Sequence, residues 1–286
     1  MTETVERFGL TVLPYPEARW EEKHGKPTVD IVAVHGLNGH PAKTWTYVDT
    51  ETKKEVFWLR DLLNHKIPRS RVMTFGYNAD VRGNTSTAGI KDNARSVLTH
   101  LFDEREDDGD EGAERSIVWV AHSLGGLIVK QALRFAANED QYGSIWSKTA
   151  GVLFLGTPHR GSDVAKWADL GISIAKASFV SMNDTYVNAL RTNSVEIMNI
   201  SEDFRPLAKA LRIFSFYEEN KDSRTGSVVV AKWSALMETE NEESIMMIGA
   251  DHSGICKFSG VDDRRFALVW RRIKRLEGLR SNGART

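Results

Sequence analysis

The sequence predicts an α/β fold: a mostly parallel sheet with helices on both faces. Two observations carry that expectation. Short β-branched, nearly all-apolar runs recur along the chain, as strands buried on both faces do. Stretches with helical periodicity separate them, and that alternation is the signature of crossover-connected parallel strands.

Taken in order, residues 8–13 read as an edge strand ended by Pro14 and Pro16. Residues 29–34, 71–75, 117–120, 151–155 and 212–216 read as central strands, with 227–230 as a further strand. Helical patterns cover 56–65, 90–106, 124–137 and 262–276. The acidic, glycine-punctuated stretch 103–114 reads as a solvated loop. The interval 161–211 is far too long for a loop plus one helix. Within it Val164, Trp167, Leu170 and Ile174 fall at helical spacing behind a Ser162/Asp163 cap, which predicts two or more inserted helices. In the terminal helix Phe266, Val269, Trp270 and Ile273 form an apolar stripe that faces the sheet and leaves the arginines to water.

Composition bounds the partners. Lys and Arg number 38 against 39 Asp and Glu, for a net charge of −1 in 286 residues, which speaks against a dedicated nucleic-acid binder. Mean hydropathy is −0.37, and no apolar run of about 20 residues is available to insert stably in a membrane. The start carries no secretory pattern, and the one cysteine, Cys256, cannot form a disulfide within the chain. An intracellular, cytoplasmic location is therefore expected. No repeat or linker marks a boundary, so residues 1–286 are expected to form one domain, with 162–210 inserted as a helical cap.

The chemistry concentrates in Ile117-Val118-Trp119-Val120-Ala121-His122-Ser123-Leu124-Gly125-Gly126, a strand, a sharp turn and a helix. A serine at such a turn is held in a strained conformation that lifts its hydroxyl above the sheet edge. Only small residues fit two positions before and after it. Those are Ala121 and Gly125, so the pattern is A-x-S-x-G. The turn makes Ser123 the candidate nucleophile. The helix behind it aims its amides where an oxyanion would develop, and a second donor is expected from the glycine-rich loop Val34-His35-Gly36-Leu37-Asn38-Gly39. Leu37 and Leu124 are the candidate pair. The general base is expected last in sequence, which points to His252 in Gly249-Ala250-Asp251-His252-Ser253-Gly254, with His159 as its rival. The orienting acid is left among Glu218, Glu219, Asp222 and Asp163, with Glu218 preferred because it directly follows a strand. No Cys/His cluster has zinc spacing, so no metal is expected, and His40-Pro41-Ala42-Lys43-Thr44 is not a P-loop. Cys256 reads as a small buried thiol.

Six stretches in this order resemble a known family: Val34-His35-Gly36-Leu37-Asn38-Gly39, Phe75-Gly76-Tyr77, Ala121-His122-Ser123-Leu124-Gly125-Gly126, Gly156-Thr157-Pro158-His159-Arg160-Gly161, Ser215-Phe216-Tyr217-Glu218 and Asp251-His252-Ser253. Over residues 8–278 the chain is similar to the serine α/β-hydrolases of the lipase and GPI inositol deacylase-like group, nearest to the branch found in fungi as N-terminal domains of NACHT-type receptors. The resemblance implies the α/β-hydrolase fold and cofactor-free ester hydrolysis, and adds weight to Glu218.

The expected function is a lipase-like serine esterase acting on a small-molecule or lipid ester. Trp167, Leu170 and Met182 of the insertion would line an apolar substrate pocket. Acyl transfer with the same residues, or an interaction module that keeps the fold without turnover, are the alternatives.

Overall fold

The computed structural model describes residues 5–79, 89–161, 164–177, 184–223, 225–277 and 279. Ser162, Asp163 and Met182, singled out above, lie outside the described residues.

The strands in chain order are β1 (Gly9–Val12), β2 (Val29–Val34), β3 (Thr46–Val48), β4 (Glu55–Phe57), β5 (Ser70–Gly76), β6 (Ser116–His122), β7 (Thr149–Leu155), β8 (Arg212–Glu218) and β9 (Glu242–Met247). Seven of them form one sheet in the order β1-β5-β2-β6-β7-β8-β9, while β3 and β4 make a separate hairpin. Only β1 runs antiparallel to its neighbour in the main sheet. The long helices are α1 (Ile90–Glu106), α2 (Gly125–Asn138), α3 (Val164–Ala177), α4 (Asp184–Ala208) and α5 (Arg264–Leu276).

The period of two along each strand sorts the core into two layers. In β6, Val118 and Val120 point to one face, with Phe266, Val269 and Ile273 of α5 and with Trp45 and Trp58. Ile117, Trp119 and Ala121 point to the other, with Val97, Leu101, Ile128 and Leu133 of α1 and α2. Strands buried on both faces leave no room for polar alternation, which is why they read as continuous apolar runs. As expected from its stripe, α5 buries Phe266, Val269 and Ile273 and leaves Arg264 and Arg271 exposed.

Three expectations are corrected. Residues 227–230 do not form a strand. The sheet instead ends in β9, a partly exposed edge whose inward Ile245 and Met247 are its only buried apolar side chains, so its sequence carries a weak strand signal. The helix expected over 56–65 is β4 followed by two separate helical turns, Trp58–Asp61 and Leu63–Lys66. The stretch 103–114 is not a solvated loop. It completes α1 and forms a short helix, Gly109–Glu114, and its acids meet a buried arginine cluster. Arg71 reaches Asp30 (2.9 Å) and Glu104 (3.0 Å), Arg115 reaches Asp30 (3.0 Å), and Arg105 also pairs with Asp30. Asp108 accepts from both Arg71 and Arg115. This network ties the N-terminal ends of β2, β5 and β6, at the sheet edge opposite Ser123.

The interval 161–211 holds α3 and α4, as the helical spacing predicted. The C-terminal part of α4 buries Phe204 and Ala208 against the α1/α2 layer. Helix α3 buries Ile174 and Ala177 with Val229 and Val230, and the partly buried Leu37 and Leu124 pack on that cluster. No helix among the described residues is long and apolar enough to cross a membrane.

Candidate active site

Ser123 sits between β6 and α2 with φ of +53°, a left-handed conformation that costs a non-glycine residue on the order of 1–3 kcal/mol. Its surroundings over-determine that conformation. The Ser123 N–H donates to Leu155 O at 2.9 Å, and the Thr157 hydroxyl donates to Ser123 O at 2.9 Å. A Cβ on Gly125 would lie 2.2 Å from the His35 carbonyl oxygen, and one on Gly36 would lie 2.7 Å from Ser123 Cβ. Both positions therefore exclude any side chain, and the serine turn and the Val34–Gly39 loop lock together through them.

Parallel strands end on the same edge, so the loops after β2, β6, β7 and β8 gather around this serine. Glu218, the last residue of β8, is buried at 4% exposure. Its Oε2 accepts the Val229 N–H and its Oε1 the Val230 N–H, both at 2.9 Å. The segment expected to be a strand thus uses its amides to hold a carboxylate. Oε1 also accepts from His252 Nδ1 at 2.9 Å. With its proton placed on Nδ1 by the carboxylate, the imidazole presents Nε2 as an acceptor, and the Ser123 hydroxyl donates to it at 2.9 Å. Ser123, His252 and Glu218 are thus brought together.

Glu219 and Asp222, the other candidate acids among the described residues, each hold a backbone amide. Glu219 accepts from the Gly249 N–H at 2.8 Å, and the buried Asp222 caps its own turn by accepting from Thr225 N–H at 3.3 Å. Among the described residues, buried His159 has no hydrogen-bond partner on either ring nitrogen, and burial, with Lys130 and Arg160 nearby, holds it well below the ordinary histidine range. It is not bonded to Ser123.

Leu124 is the N-cap residue of α2, and Leu37 lies in the loop after β2. Neither backbone N–H is engaged in a hydrogen bond among the described residues. Trp167 is packed inward at 2% exposure against Leu127 and Ile197, while the half-buried Leu170 lies against the clusters that Leu37 and Leu124 also touch.

Two histidines that the sequence reading did not use brace the site. His122 donates from Nε2 to the His252 carbonyl at 2.9 Å, and burial, reinforced by the neighbouring His252, lowers it to about 3. His35 donates from Nδ1 to Gly36 O at 2.9 Å and stacks on Tyr77 with ring centres 4.4 Å apart, while the Tyr77 hydroxyl donates to His35 O at 2.9 Å. Burial lowers His35 to about 4. Both therefore stay neutral near pH 7 and act as struts. Adjacency of His122 to Ser123 was the sole sequence signal for the first. Cys256 is buried, and burial pushes its thiol up to about 12, as expected of a packing residue. Among the described residues, no group of three or more His, Cys, Asp or Glu side chains is placed to hold a metal ion.

Comparison with known proteins agrees with this scaffold. The mature form of Bacillus licheniformis lipase BlEst2 matches with a TM-score of 0.52 at 18% identity, covering 86% of this chain and 92% of that one, and the shared fold is that of the α/β-hydrolases. Protein SERAC1 of Danio rerio is 26% identical over 242 residues, 80% of this chain. The ankyrin repeat domain-containing protein SAT10 of Stachybotrys chartarum is 25% identical over 181 residues, 54% of this chain. The chain spans only 36% of the length of the SERAC1 relative and 9% of SAT10. Residues 26–196, which hold β2, the Leu37 loop and the Ser123 turn, match one family as a unit, and the chain belongs to that family, described as "Putative serine esterase (DUF676)".

Proposed function

We propose that the protein is a lipase-like carboxylic ester hydrolase that works through Ser123, His252 and Glu218. The observation that carries this reading is the unbroken pair of 2.9 Å hydrogen bonds from Ser123 through His252 to Glu218, in a buried setting. Ser123 Oγ attacks the ester carbonyl carbon while His252 Nε2 takes its proton. The amides of Leu37 and Leu124 receive the oxyanion, and Glu218 holds the imidazole in the required tautomer and offsets its charge. Collapse breaks the bond to the alkoxide, which leaves with the proton from His252. Water then attacks the acyl-enzyme by the same route and the acid departs.

The substrate in this reading is a small-molecule or lipid ester with an apolar part. The half-buried Leu170, which packs on the same cluster as Leu37 and Leu124, supports an apolar wall close to the serine. The chain is read as one domain over residues 1–286, with 162–210 as its cap. Support comes from α4, whose Phe204 and Ala208 join the core of the sheet. The match to the Stachybotrys protein supports an affinity with the fungal branch. The lone, buried Cys256 fits a reducing, intracellular location.

Hydrolysis of 4-nitrophenyl butyrate by wild type and Ser123→Ala tests the proposal. The variant is expected to lose at least about 10³ in kcat/KM. Equal rates in the two proteins would refute it.

A further inference from the structure

Beside Leu37 lies a cleft of about 240 Å³. Its lining includes Leu37, the buried His122, which precedes Ser123, and Ser253, which follows His252, together with His40, Lys43 and Lys257. Among the described residues, no Asp or Glu lines it. Elsewhere the chain pairs many of its cations: Lys148 with Glu114 at 2.9 Å, Arg95 with Glu139 at 2.9 Å, and Arg134 with Asp203 at 2.9 Å. Lys43 and Lys257 have no ion pair among the described residues.

The third group is fixed by its own loop. His40 Nδ1 accepts the Ala42 N–H at 3.1 Å and the Lys43 N–H at 3.4 Å, which leaves the ring proton on Nε2 and makes that nitrogen a donor. Burial and the charges of Lys43 and Arg7 lower the ring's pKa below the ordinary histidine value and favour its neutral form. The Lys257 charge is felt by His122 and Cys256 at the base of the cleft. Asp251 also acts on Cys256, but it is committed to the Gly254 N–H at 2.7 Å and does not line the cleft. A concave wall of one charge sign focuses its field on whatever enters. Two ammonium groups and one N–H donor, with no acid among the described lining residues, suit oxygen acceptors that carry negative charge.

We infer that the ester taken by this site bears an anionic group, a carboxylate or a phosphate, which seats against Lys43, Lys257 and His40 while the ester carbonyl lies at the Leu37 amide. The inference rests on the reading of Ser123 given above, because Leu37 joins the cleft to the serine. It assigns these three side chains to specificity rather than to the bond-breaking step.

Two substrate pairs test it, each matched in size and differing in charge. One is 4-nitrophenyl hemiglutarate against 4-nitrophenyl valerate. The other is 1-butyrylglycerol 3-phosphate against 1-butyrylglycerol. In at least one pair the charged ester should be favoured in kcat/KM on the order of tenfold. That preference should shrink as NaCl rises from about 0.05 M to about 0.5 M, and the charged-to-neutral ratio should approach one in Lys43→Met/Lys257→Met. Neutral esters equal or favoured in both pairs, or a preference that survives the double variant, would overturn the inference. Phosphonate labelling of Ser123 in the same preparation separates the two levels. A labelled enzyme without anion preference removes the cleft assignment alone, and a wild type that does not label removes the underlying reading together with it.

Discussion

Glu218 shows how much one carboxylate can organise. It accepts two backbone N–H groups and one imidazole N–H, so it fixes the 229–230 segment and the His252 ring together. Replacing it with Gln keeps the shape but offers an amide where donors converge. Glu218→Gln is therefore expected to lower kcat/KM by about 10²–10⁴, whereas Glu219→Gln, whose side chain accepts the Gly249 N–H, should stay within about threefold of wild type. Steady-state rates on one soluble ester decide between them. A larger loss at position 219 would move the orienting role. His159 makes a parallel case. Sequence order sets it behind His252 as a base, and among the described residues neither of its ring nitrogens has a hydrogen-bond partner.

Helix α2 and the loop after β2 are fitted through the absence of a side chain at Gly125. Gly125→Ala would drive a methyl into the His35 carbonyl, 2.2 Å from the ideal Cβ, so the turn must shift. A stability loss of about 1–3 kcal/mol is expected, together with loss of activity, and thermal unfolding beside rate measurement checks both. An unchanged Tm would contradict the tight fit. In the insertion, Trp167 and Leu170 should separate. Truncating the inward-packed Trp167 to Ala should destabilise by about 3–5 kcal/mol, while Leu170→Ala should shift the chain-length optimum of 4-nitrophenyl esters. If neither substitution moves that optimum, the insertion does not shape the pocket. These elements also show what the sequence made legible. Buried parallel strands announce themselves because both faces are apolar, and the serine turn because its geometry restricts Ala121 and Gly125. The edge strand β9 and the 229–230 clamp do not. One is half polar, and the other acts through backbone amides, to which side-chain patterns are blind.

Across the molecule, charge is divided between the two ends of the sheet. The N-terminal edge holds a paired network of Asp30, Arg71, Arg105, Arg115 and Asp108, while the C-terminal edge holds neutral histidines packed around Ser123. The histidines impose a pH dependence on stability. In the unfolded chain His35 and His122 take up a proton near pH 6.5, but folded they resist until about 4 and about 3. The unfolded state thus binds more protons below pH 6.5, so their contribution is complete above that value and is lost as pH falls toward 4 and 3. Between pH 6.5 and 5 each accounts for on the order of 2 kcal/mol. His122→Gln should therefore show a smaller drop in Tm between pH 7 and pH 5 than wild type, and parallel curves would contradict the assignment. The central claim concerns Ser123, and covalent capture tests it most directly. After treatment with a fluorophosphonate, intact mass and peptide mapping should find one adduct on Ser123 in wild type and none in Ser123→Ala. An adduct that persists in the variant, or a wild type that takes none, would contradict the account.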